Sequence, residues 1–240
     1  MTATTPAPLP AGPPGAPPTE RFRRAYYARA ETDYYFDGLG MVIFLTVITC
    51  GIYGFYVTYQ LVRRSRDHNR RRLELLDSAT EIAWQQAYER GIAEELRPNF
   101  ERIALHLGVL RQMTTDFRDP GIWVALAVLS GSYFISIAEV VAFVLLDGDL
   151  IRHDQAEGAA EAELAAVFAR LGQSVPVPDP ARVKGKQNYP GRIVATFFTC
   201  TIYGLWWTYN QMDDMNKHFL SNWPWEDALA GAVQALAPVE

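Results

Sequence analysis

Apolar and charged positions are sharply segregated along this chain. Residues 38–62 and 193–212 contain no charged side chain, and residues 121–146 contain only Glu139. These windows hold 20 to 26 residues, and about 20 apolar residues suffice to cross a ~30 Å hydrocarbon core as a helix. The pattern predicts an all-α integral membrane protein. It has three homologous apolar helical segments, 38–62, 120–146 and 190–212, read as spans and joined by amphipathic helices. No alternation of period two persists long enough to predict a sheet.

Between the windows the period is helical. Leu75, Leu76, Ala79, Ile82, Ala83 and Tyr88 form an apolar stripe within residues 73–96. Pro98 then suits the first turn of a second helix, in which Phe100, Ile103, Leu107 and Leu110 recur on one face. Residues 63–119 thus form a charged amphipathic linker. Residues 147–189 combine an alanine-rich helix, with Leu164, Phe168 and Leu171 on one face, and a Pro-containing linker. Residues 213–240 read as an interfacial C-terminal helix started at Pro224 and marked by Trp223 and Trp225. Residues 1–20 hold seven prolines and no apolar h-region, so they are expected to be a disordered arm rather than a signal peptide. The chain would then enter the membrane through its first apolar window.

The windows resemble one another. "TCGIYGFYVTY" at 49–59 returns as "TCTIYGLWWTY" at 199–209, and placing Tyr133 in register with Tyr53 and Tyr203 brings Pro120 level with Gly40 and Pro190. Self-similarity of this kind implies tandem units. The phrases "ITCGIYGFYVTYQLVRR" and "FTCTIYGLWWTYNQM" resemble the T-x-G-I-Y-G-x-Y/W signature of an uncharacterised bacterial membrane family, domain of unknown function 4234. The resemblance implies a small helical membrane protein and no particular activity.

Small residues in a bilayer let helix backbones approach, and aromatic rings favour the headgroup level. Thr49, Gly51, Tyr53, Gly54, Gly131, Tyr133, Thr199, Tyr203 and Gly204 are therefore the candidate packing or bending positions. If each window bends at its centre, it becomes a re-entrant hairpin with arms of about 16 Å, and all flanks stay on one side. Basic residues on both linkers favour that arrangement; the lengths of the windows favour spans.

A net charge of −5 and the absence of a reading motif argue against a nucleic-acid partner. The cationic run contributes Arg63, Arg64, Arg66, Arg70, Arg71 and Arg72 as candidate contacts to anionic lipid headgroups. Cys50 and Cys200 do not make a disulfide framework. Glu139, a carboxylate inside an apolar window, is the candidate ion or proton site. One histidine follows each window: His68, His153 and His218. They are expected to mark polar ends rather than a metal site, since no close pair has ligand spacing and His68 sits among six arginines. No phosphate loop or nucleophile elbow occurs. The expectation is a non-catalytic scaffold, accessory subunit or membrane-organising protein without catalytic residues, metal or cofactor. Its partners would be a lipid bilayer with anionic lipids, and it would be a homo-oligomer or a subunit of a membrane complex. It would lie in the bacterial inner (cytoplasmic) membrane. The alternative is a small transporter or channel component that uses Glu139.

Overall fold

The computed structural model describes residues 16–36, 38–115, 119–130, 137–179, 185, 187–199 and 202–237. Among them the chain forms nine helices: α1 (Pro18–Tyr27), α2 (Arg29–Thr32), α3 (Leu39–Ile48), α4 (Ile52–Glu89), α5 (Ala93–Thr115), α6 (Pro120–Leu129), α7 (Ile137–Arg170), α8 (Tyr189–Phe198) and α9 (Ile202–Leu236). No strand occurs among the described residues, so the all-α expectation holds. The proposed arm at 1–20 lies mostly outside the described residues, and α1 already occupies its last three positions.

The expected spans do not occur among the described residues. None of the described helices is long and apolar enough to cross a membrane. Each window holds two helices instead, a ten-residue helix followed by one of 34 to 38 residues; residues 131–136 and 200–201, which join the second and third pairs, lie outside the described residues. This happens at α3–α4, at α6–α7 and at α8–α9.

The turn has a chemical cause at two of these places. Thr49 Oγ donates to the Leu45 carbonyl at 2.7 Å and accepts the Tyr53 N–H at 3.0 Å. Thr199 does the same with Ala195 at 2.8 Å and Tyr203 at 3.0 Å. One hydroxyl therefore closes one helix and opens the next, pairing backbone groups that helix ends leave unsatisfied. Ser130 ends α6 with a similar bond to Ala127 at 3.1 Å. At the first turn Gly51 takes φ 92° and Cys50 φ 48°. The left-handed region is free to glycine and costs other residues about 1–2 kcal/mol. Gly51 thus serves bending, whereas a Cβ on Gly54 would meet open space, so the close-contact strip expected there is absent. Gly204 is buried in the first turn of α9. Gly131 and Tyr133 lie outside the described residues.

Two apolar cores lie along the long helices. The one nearer the turns joins Val57, Leu61 and Val62 of α4 with Phe143, Leu146 and Leu150 of α7 and Trp207, Met212, Met215 and Phe219 of α9. The farther one packs both expected linker stripes together. Leu75, Leu76, Ala79, Ile82 and Ala83 of α4 meet Phe100, Ile103, Leu107 and Leu110 of α5, with Leu164, Phe168 and Leu171 from α7 and its C-terminal turn. Arg21 ties α1 to α4 through Glu74, Asp77 and Glu81, three successive acids on one helical face.

Three local expectations fail. Tyr88 is exposed rather than part of its stripe. α4 ends at Gly91, whose φ of 71° allows the chain to reverse, so α5 begins at Ala93 and Pro98 falls inside it. Pro224 does not start a helix either. It sits within α9, whose end enters the farther core through Trp225, Leu229 and Val233 instead of lying at an interface. Trp225 Nε1 donates to the Pro176 carbonyl at 2.9 Å.

Because Thr49 and Thr199 each satisfy two backbone groups, Thr49→Val and Thr199→Val should each cost about 1–2 kcal/mol of stability. Thr80→Val, which removes a single return bond within α4, should cost less. Thermal unfolding in mild detergent measures the ranking, and equal effects at all three positions would refute the double role.

Candidate functional site

Between the two cores lies a layer of buried polar side chains. His68 on α4, His153 on α7 and His218 on α9 occupy its centre, and all three are buried. Their ring centroids form a near-equilateral triangle with sides of 5.1, 5.3 and 5.5 Å. Glu157, one turn after His153, completes the group. One potential ligand atom from each of the four lies within 4.8 Å of every other. His68 Nε2 is 3.2 Å from His218 Nε2, His218 Nε2 is 3.5 Å from Glu157 Oε2, and His153 Nε2 is 3.4 Å from Glu157 Oε1.

A second ring of carboxylates orients the imidazoles. His68 Nδ1 lies 2.9 Å from Asp33 Oδ1, and His218 Nδ1 lies 2.8 Å from Asp154 Oδ1. Burial disfavours charge on His68 and pushes its imidazole down to about 3, despite the opposing pull of Asp33. Burial raises Asp33, but His68 and Arg71 more than offset this and hold its carboxyl well below the usual range. An ionised Asp33 beside a neutral His68 accepts the Nδ1 proton, which leaves the Nε2 lone pair facing the centre. The Asn222 amide donates to Glu157 Oε2 at 3.2 Å and stands 3.4 Å from His218 Nε2.

Arginines close the layer. Arg72, with no exposure, bonds Glu157, Glu161 and Glu226. Arg71 pairs with Asp33 at 2.5 Å and Glu226 at 2.8 Å. Arg64 donates to the Tyr34 carbonyl at 2.6 Å and to Asn216 at 2.8 Å, and burial lowers its pKa to about 10. Arg64, Arg71 and Arg72 are therefore not headgroup contacts, which corrects the reading of the cationic run. Of that run, Arg63 and Arg70 are exposed and Arg66 is half-buried against Asp67.

Other candidate positions lie elsewhere. Glu139 is buried in the first turn of α7 and accepts from Thr58 Oγ at 3.2 Å, apart from the histidine layer. Thr49, Gly51, Tyr53 and Gly54 surround the first turn, and Thr199, Tyr203 and Gly204 the third. Counting back 15 residues from each histidine reaches Tyr53, Ala138 and Tyr203, so the second window carries five more residues between Tyr133 and its histidine than the other two. Glu157 was missed in the sequence. The spacing that carries it is His153-x-x-x-Glu157, which puts both groups on one face of a helix.

The fold and site define an all-helical bundle in which three short–long helix pairs enclose a histidine and carboxylate layer. Residues 37–88 match the family described as a domain of unknown function (DUF4234), which bears out the resemblance seen in "ITCGIYGFYVTYQLVRR". That match covers the first helix pair and reaches past His68. No curated protein and no solved structure matches the chain.

Arg72 is fully desolvated and shared by three carboxylates. Removing one partner from such a buried network typically costs about 3–5 kcal/mol. Arg72→Met should lower stability by that amount in denaturant unfolding, whereas Arg70→Met on the exposed face should change it by less than about 0.5 kcal/mol.

Proposed function

We propose that this is a non-catalytic, membrane-organising protein that inserts three helix tips into one leaflet of a bilayer and presents its remaining bulk on one side. The supporting observation is where its exposed apolar side chains lie. Phe44, Val47, Ile48 and Ile52 are exposed around the first turn, Val128, Leu129 and Ile137 around the second, and Phe197, Phe198 and Ile202 around the third. Phe198 and Leu129 are 86% and 81% exposed. Apolar area of this extent is costly in water and marks an interaction surface.

The dimensions suit a single leaflet. A ten-residue helix is about 15 Å long, half of a ~30 Å hydrocarbon core. Charge reappears on α4 and α9 at Arg63 and Asp213, eleven residues after Ile52 and Ile202, and on α7 Glu139 is the one charged residue before Asp147. The hydroxyl-capped turns fit the same reading, because backbone groups within lipid need an internal partner. Three tandem hairpin units keep every linker on one side, which accommodates basic residues on both linkers. Exposed Arg63 and Arg70 then reach anionic headgroups. A scaffold or accessory subunit of a bacterial inner-membrane complex is the role that follows, with the water-facing helices available to partners.

The transport reading is favoured by one observation, the buried carboxylate of Glu139 within an apolar segment held by Thr58. Under that reading Glu139→Gln abolishes proton or cation flux in proteoliposomes; equal flux from the variant and the parent chain eliminates it.

Insertion is tested with an environment-sensitive fluorophore on Cys50 in a Cys200→Ser background. Vesicles containing phosphatidylglycerol should shift its emission to the blue, and quenchers on the acyl chains should reach it. Phe44→Glu with Phe198→Glu should weaken vesicle binding by at least about tenfold. Arg63→Gln and Arg70→Gln should each weaken it by up to about fivefold at low salt. Undiminished binding by the double glutamate variant refutes insertion.

A further inference from the structure

We propose that His68, His153, Glu157 and His218 hold one divalent transition-metal ion of the zinc type, which clamps α4, α7 and α9 together. The four donors come from all three helix pairs, and all are buried. Zinc bonds to nitrogen and carboxylate oxygen are about 2.0–2.2 Å long, which places neighbouring tetrahedral ligands about 3.3–3.5 Å apart. His68 and His218 at 3.2 Å, His153 and Glu157 Oε1 at 3.4 Å, and His218 and the other Glu157 oxygen at 3.5 Å are close to that spacing, and a set of one atom from each residue lies within 4.8 Å, which small rotations close.

The hydrogen bonding prepares these atoms for a cation. Asp33 is hydrogen-bonded to Nδ1 of His68, so that ring carries its proton on the outer nitrogen and turns its Nε2 lone pair inward, and Asp154 stands 2.8 Å from Nδ1 of His218. The two Nε2 atoms lie 3.2 Å apart beside the Glu157 carboxylate, a spacing that one cation can bridge. Carboxylate–histidine pairs of this form are the usual outer support of metal-bound imidazole. His153 supplies an independent sign. It is buried, and neither ring nitrogen makes a well-formed hydrogen bond. Leaving such a group unsatisfied costs about 1–3 kcal/mol, and a metal ion satisfies it.

Charge leads to the same place. Asp33, Asp154, Glu157, Glu161 and Glu226 are buried in the layer, opposed by Arg64, Arg71 and Arg72. A layer this rich in carboxylates favours a cation over an anion as its occupant. The arginines do not repel the ion from the site, because Arg71 and Arg72 are already bonded to carboxylates. Three imidazoles and a carboxylate suit zinc, cobalt or iron better than magnesium or calcium, which prefer all-oxygen shells. Four protein donors complete a tetrahedron and leave no open position, so the ion is structural rather than catalytic.

The test uses the full chain in mild detergent without vesicles, so its outcome is independent of membrane insertion. The protein is stripped with chelator and titrated with Zn²⁺ and Co²⁺. About one equivalent should bind, Co²⁺ should give the intense visible bands of four-coordinate nitrogen and oxygen ligation, and the unfolding temperature should rise with metal concentration. His153→Gln should lose the bands and the rise, Asp154→Asn should weaken binding by about 10–100-fold with the ligands intact, and Glu139→Gln should behave as the parent chain. If the helical parent chain binds less than about 0.1 equivalent of either metal and its unfolding temperature does not move, the proposal is overturned. That result holds even if the variants fail to fold.

Discussion

The guanidinium of Arg72 holds the three long helices in one register. It reaches Glu157 and Glu161 on α7 and Glu226 on α9 from a position on α4 with no contact to solvent. An ion network this deep gives little net stability, since desolvation of the charges offsets most of their attraction. Its effect is selective. Sliding any of the three helices by one turn would leave a carboxylate or the guanidinium buried alone, which costs several kcal/mol. Only one axial alignment satisfies the layer, and in that alignment His68, His153 and His218 face one another.

From this layer the rest of the molecule follows in both directions. Towards the turns, Trp207, Phe143, Leu61 and their neighbours fill the space between the helices, and beyond them the side chains point outward with nothing to cover them. In the other direction α1 and α5 close over the ends of α4, α7 and α9, and a conventional apolar core results. The protein therefore has a dry covered end, a polar middle and a bare apolar end. An exposed apolar end of this extent is a surface for contact with another molecule.

Much of this order could be read from the chain, and the failures share a cause. Apolar windows and the stripes of α4, α5 and α7 are local patterns, so they were legible: Leu75, Ile103 and Phe168 are buried as their spacing requires. The bend at Thr49 and Thr199 was visible as a possibility in the glycine and tyrosine phrase, but window length argued for straight spans. What decides the matter is a hydroxyl bonded on both sides, which spacing alone does not reveal. Arg71 and Arg72 looked like surface cations because their carboxylate partners stand about 40 to 155 residues away. The same separation hid the histidines. His153-x-x-x-Glu157 was a local sign of a ligand pair, yet its significance depends on His68 and His218 arriving from other helices. Pro98 and Pro224 misled in a simpler way, since each sits inside a helix that packing maintains despite the missing amide bond.

Nineteen residues separate Thr49 from His68 and Thr199 from His218, but twenty-three separate Ser130 from His153. The surplus of four is close to one helical turn, and the histidine still arrives beside its counterparts. The interior layer therefore sets the phase of the long helices, whatever the length of chain that leads into them. Adding or removing one turn of chain ahead of a histidine is thus a change that evolution can make while leaving the inner machinery untouched.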